Sequence, residues 1–118
     1  MKTLLRALLV SLSAATAVAS ASCTVGTPIA DHPCPQGGPA VTYETFGREF
    51  FNGYCVRCHG GPNGYSSRSF TSLDAIRADR DRIFINAAAD NKSMPPGPDG
   101  PSQHEREMLA DWLACGAP

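Results

Sequence analysis

The 118-residue chain reads as an all-α protein. From Val41 onward apolar residues recur three and four positions apart, the spacing of one helix face. Two segments open on a serine placed as a helix N-cap, and no segment alternates apolar and polar residues as a half-buried strand does. The expected fold is therefore a small bundle of short helices.

The first element is a leader. Lys2 and Arg6 form a basic start, Ala7 to Val18 is apolar and small, and Ala17-Val18-Ala19 and Ala19-Ser20-Ala21 both satisfy the small-x-small cleavage pattern. Residues 1–22 are thus expected to be an export signal. The apolar run falls short of the roughly 20 residues that a spanning helix needs. The mature protein is expected to be exported and periplasmic, where cysteines can be oxidised.

Residues 23–40 are rich in Pro and Gly, with Pro28, Pro33, Pro35 and Pro39 among Gly26, Gly37 and Gly38. Without apolar periodicity this stretch reads as a tether, and His32 within it as a solvated loop residue.

Residues 41–118 form the domain. Its first helix is predicted from near Thr42 to Tyr54, with Phe46, Phe50, Phe51 and Tyr54 at helical spacing. A second helical region begins at Ser72, an N-cap followed by Asp74 in the first turn, breaks near Asp79 and resumes through Ile83, Phe84 and Ala87. The last helix starts at Ser102, whose spacing to Glu105 makes a capping box, and runs through Met108, Leu109, Trp112 and Leu113 to Gly116. About 80 residues give only a marginal apolar core, so a buried prosthetic group would supply what the side chains lack.

Cys55-Val56-Arg57-Cys58-His59 names that group. Cys-x-x-Cys-His is the attachment signature of a c-type haem. Cysteines three apart share one face of a helical turn, so both sulfurs can form thioethers with one porphyrin while His59 ligates its iron. A thioredoxin-like dithiol would need a βαβ context, and a structural zinc site would need four ligands that no second pair of cysteines or histidines supplies. The fold expected on this basis is a helical domain wrapped around one covalent haem.

Removing the two haem cysteines from the five in the chain leaves Cys23, Cys34 and Cys115. Cys23 follows the small-residue end of the leader, where a bacterial lipoprotein carries its acylated cysteine, although Ser20 stands where such signals usually have an aliphatic residue. Lipidation at Cys23 would attach the protein to a membrane and leave Cys34 and Cys115 as a disulfide pair. Simple leader cleavage would instead let Cys23 pair with Cys34 and leave Cys115 over.

Beyond the haem motif, Gly47, Phe51 and Cys55 stand four apart, and Leu109 and Trp112 lie three apart on the last helix. In these respects Val41 to Gly116 resembles the class I cytochrome c family, in its bacterial exported or lipoprotein form. The resemblance implies that the terminal helices cross at Gly47 against Leu109 and Trp112. Met94, in Ser93-Met94-Pro95-Pro96-Gly97, resembles the methionine loop of these cytochromes and is implied as the second axial ligand. Met108, at helical spacing with its neighbours, is expected to pack rather than bind iron.

His59 and Met94 as axial ligands leave no coordination position for a substrate, so the expected function is electron transfer without a catalytic site. A haem-based sensor of small ligands and an electron-entry subunit of a larger membrane oxidoreductase are the alternatives. Without Lys2 and Arg6, eight basic residues face eleven acidic ones, a balance of −3 that argues against nucleic acid and for redox partner proteins. Arg77, Arg80 and Arg82 among Asp74, Asp79 and Asp81 read as a solvated mixed-charge face. Gly60-Gly61-Pro62-Asn63-Gly64 reads as a loop turning the chain around the haem.

Overall fold

A computed structural model describes residues 26–118; the leader and Cys23 lie outside the described residues. Four α-helices follow in order: α1 Arg48–Tyr54, α2 Leu73–Ala78, α3 Arg80–Ala87 and α4 Gln103–Ala114. Among the described residues there is no strand, and the domain is all-α.

The helix starts lie where the sequence chemistry sets them. Ser72 accepts the N–H of Ala75 to open α2, and Ser102 and Glu105 form a reciprocal box at α4. The predicted break falls between α2 and α3, at Asp79. At the start of the domain the geometry differs from a regular helix. Tyr43–Gly47 forms one π-helical turn, in which the Gly47 N–H reaches back to the Thr42 carbonyl (3.2 Å), and α1 begins only at Arg48. Thr42 and Thr45 satisfy each other's main-chain N–H groups there, a cap made by two threonines rather than Ser and Glu.

The core is aromatic and aliphatic, with Trp112, Phe51, Phe84, Ile76, Leu109 and Leu113 fully buried. Trp112 joins its two ends: its ring lies 6.2 Å from Phe51 and 6.5 Å from Tyr43, and its indole N–H donates to the Pro118 carbonyl at 2.9 Å. Gly47 sits against that indole, the contact that the resemblance implies. Met108 packs on the rim of the core. After α4, Gly116 turns through a positive φ of 91°, the left-handed conformation that suits glycine at a helix end.

Residues 26–40 are not the slack tether expected of their composition. Ile29–Asp31 forms a 3₁₀ turn that lies against α3 and α4, with Ile29 packed on the core. Thr27 exchanges two main-chain hydrogen bonds with the side chain of buried Asn91, at 2.8 and 2.9 Å. His32, expected in solvent, is half-buried: its Nε2 lies 2.9 Å from Asp111 and its ring 5.4 Å from that of Phe84. Cys34 is bonded to Cys115, 81 positions later, with the Cα atoms 4.8 Å apart. Proline and glycine prevented a regular element here, but they did not prevent docking, because the groups that hold the stretch are single side chains distant in sequence.

Candidate haem-binding site

The site begins at the end of α1. Helical bonding runs on past Tyr54: the Cys55 N–H donates to the Phe51 carbonyl (2.9 Å), and those of Cys58 and His59 donate to the Cys55 carbonyl (3.1 and 2.8 Å). The haem motif is thus a turn that continues the helix. The loop after it folds back, since the N–H groups of Ser66 and Phe70 donate to the carbonyls of Cys58 and His59.

That return fixes the His59 imidazole. Nδ1 lies 3.1 Å from the Arg68 carbonyl, and the ring stacks on Phe70 with centroids 4.5 Å apart. A carbonyl can only accept, so Nδ1 carries a proton, and in the neutral ring Nε2 is the nitrogen left with its lone pair. This is the tautomer a metal needs, held by an outer hydrogen bond. The partner carbonyl could not have been found from sequence, because it belongs to the main chain of a loop with no signature.

His59 lines a cavity of about 290 Å³ together with Phe50, Tyr54, Cys55, Phe70, Ile83, Ala87, Met94, Pro95 and Pro96. Arg68, Arg82, Asn86 and Ser66 supply its polar wall. Three of the predicted site residues, Cys55, His59 and Met94, therefore meet at one cavity. Cys58 is half-buried beside it and outside its lining. Met94 is 43% exposed, so the cavity opens on the side of the methionine loop.

The donor set suits a covalently held haem. Burial pushes the Cys55 thiol up to about 12, an environment hostile to a thiolate and hospitable to an uncharged thioether. The cavity wall is largely aromatic and aliphatic, as a porphyrin face demands. Among the described residues no three His, Cys, Asp or Glu side chains gather as a metal cluster.

Residues that the sequence reading did not single out hold Met94. Its N–H donates to the Asn86 carbonyl (2.8 Å), and its carbonyl accepts from the buried guanidinium of Arg106 (2.9 Å). Arg106 shares a helix face with Leu109, Ala110 and Leu113, and that spacing was the available signal of its burial.

A four-helix, strand-free domain whose Cys-x-x-Cys-His turn and methionine face one apolar cavity is a c-type cytochrome domain. Residues 44–113 match the family described as cytochrome C oxidase, cbb3-type, subunit III, and the chain belongs to that family. No curated protein and no solved structure matches the chain. A domain of this family binds covalently attached c-type haem, and its activity is haem-based electron transfer.

Proposed function

We propose that the chain is a single-haem electron carrier in which Cys55 and Cys58 hold the haem through thioethers and His59 and Met94 are the axial ligands. The observation that carries this reading is that His59 and Met94, 35 positions apart, line the same apolar cavity as Cys55. When bound, the haem would supply an iron able to alternate between two oxidation states, and a methionine ligand together with a histidine would favour the reduced one. The chain's own part is to orient the imidazole through Arg68, to exclude water with Phe50, Phe70 and Ile83, and to leave an open edge at Met94 and Pro96 for electron exchange. With His59 and Met94 both committed to the iron, this reading would leave the domain no catalytic centre of its own.

The compartment and anchor belong to the same proposal. Residues 1–22 direct export to the periplasm, and Cys23 carries a lipid that holds the protein at the membrane. Redox proteins with a basic docking face suit its net acidic charge.

The family description favours one second reading, an electron-entry subunit of a larger membrane oxidoreductase. Copurification of the tagged chain with a haem–copper oxidase core would select it; isolation as a free monomer selects the independent carrier.

The deciding experiment is an absorption spectrum of the protein made in a host with haem-attachment machinery. Low-spin ferric and ferrous bands, the weak long-wavelength ferric feature of methionine-bound iron and no response to carbon monoxide are expected. A covalent haem that binds carbon monoxide would point to a sensor instead, and no covalent haem would end the proposal. Mass spectrometry of the N-terminus tests the lipid: a diacylated Cys23 is expected, and a free Ser20 or Ser22 terminus excludes it.

A further inference from the structure

Met94 stands in a segment with little apolar cover, since Lys92, Ser93, Met94, Pro96 and Gly97 are all exposed. Packing therefore does not hold its sulfur at the cavity. What holds the segment is a charge from across the fold. Arg106, on α4, is 5% exposed, and its Nη1 lies 2.8 Å from the Ala87 carbonyl, 3.1 Å from that of Asn91 and 2.9 Å from that of Met94. Its own main-chain carbonyl accepts the Ala89 N–H at 3.0 Å.

One residue thus touches the 87–94 turn at four points. Ala87 is the last residue of α3, so the guanidinium also sits at the carbonyl end of a helix, where a positive charge is favoured. Gly100 leaves room on the other side: a Cβ there would meet Nη2 at 3.1 Å and Pro95 at 3.8 Å. Ala89 holds a left-handed φ of 51° in the middle of this turn, a conformation that needs outside support in a residue with a Cβ.

We propose that Arg106 is a positioning residue for iron ligation: clamped between Gly100 and the carbonyls of Ala87, Asn91 and Met94, it fixes the turn that presents the Met94 thioether to the haem. The proposal rests on the reading of Met94 as the axial ligand. Arginine suits the role because its planar guanidinium stays charged when buried and is held rigidly, so that Nη1 can share its N–H groups among the three carbonyls. A lysine has the charge without the planar group, and a methionine has neither.

The test compares wild-type holoprotein with Arg106→Lys, Arg106→Met and Gly100→Ala. The readouts are the long-wavelength ferric band, carbon monoxide binding by the ferrous form, the reduction potential and hydrogen exchange at the Met94 N–H. Arg106→Met is expected to lose the band, to bind carbon monoxide, to fall in potential and to exchange the Met94 amide about tenfold faster or more, the scale of one lost charged hydrogen bond. Arg106→Lys should restore part of the band.

A folded Arg106→Met protein that keeps the wild-type band and potential while only its melting temperature drops overturns the positioning role. If Arg106→Met does not fold, Gly100→Ala decides, because it keeps the guanidinium and crowds it: a weakened band and faster Met94 exchange support the proposal, and unchanged values overturn it. A wild-type protein that itself lacks the methionine band overturns the ligand assignment and this inference with it, whereas a wild-type band that persists in the folded variants overturns the inference alone.

Discussion

Gly47 and Trp112 approach so closely that a Cβ on the glycine would lie 3.2 Å from the edge of the indole, and 3.0 Å from the Tyr43 ring. The π-helical turn at Tyr43–Gly47 brings the backbone to this point, and the indole is fully buried beneath it. The two ends of the domain are joined at this contact.

Gly47→Val is therefore expected to destabilise the holoprotein by about 2 kcal/mol, since a branched side chain overfills a packed site. In a domain of this size that lowers the melting temperature by roughly 10 °C. A melt within a degree or two of wild type would show that the helices have room to separate.

Met94→Ala removes the proposed second axial ligand while leaving Cys55, Cys58 and His59 in place. The expected product retains covalent haem, loses the long-wavelength ferric band and binds carbon monoxide when reduced. The same variant should also unfold more readily than wild type, because a ligand bond made only in the folded holoprotein is lost, even though the exposed side chain itself adds little to the core. An unchanged spectrum would move the ligand to another residue.

The acid limit of stability should report on Glu105. Its carboxylate is held below the ordinary value of 4.5, chiefly by the Ser102 main-chain N–H at 2.8 Å, then by the Ser102 hydroxyl and further by Tyr54. A depressed folded-state pKa means stability that is present above the unfolded value and lost as pH falls through the folded one. Unfolding free energy should thus decline below about pH 4.5, and Glu105→Gln should make that decline shallower. The converse holds for Tyr54, whose pKa the Glu105 hydrogen bond raises, so the phenol should remain protonated beyond pH 10. Urea titrations across the acid range read the first effect, and ultraviolet titration of tyrosinate the second.

Replacing Cys34 and Cys115 by serine opens a loop with a sequence separation of 81. The loop-entropy argument puts the loss near 4 kcal/mol at most, and the bonds of Thr27 and His32, which continue to hold the stretch, should reduce it. The midpoint of urea denaturation should fall, with the ferric band intact at low denaturant. A disappearance of the band in the double variant would tie the N-terminal stretch to iron ligation.

What could be read from the sequence was the chemistry of near neighbours. Ser72, Ser102 with Glu105, and Gly116 act within a turn of their own position, so their roles follow from spacing alone. The haem motif is equally local. Asn91, His32 and Arg106 escaped because each bonds a partner far along the chain: Thr27 is 64 positions from Asn91, and Asp111 is 79 from His32. A polar residue at such a position looks like any surface residue until the fold supplies its acceptor. Arg106 is the partial exception, since its place in the row with Leu109, Ala110 and Leu113 marked an inward-facing position. The three carbonyls that make burial of its charge tolerable are invisible to periodicity.

With a lipid on Cys23, the docking of Thr27 on Asn91 would also set how far the domain can travel. Thr27 is four Cα-to-Cα steps beyond Cys23, and an extended chain gains at most about 3.5 Å per step, so a lipid on Cys23 would keep the first docked point within roughly 14 Å of the bilayer surface. A carrier lipidated there could not shuttle freely; it would rock and rotate in place, and its donor and acceptor would have to come to it along the membrane.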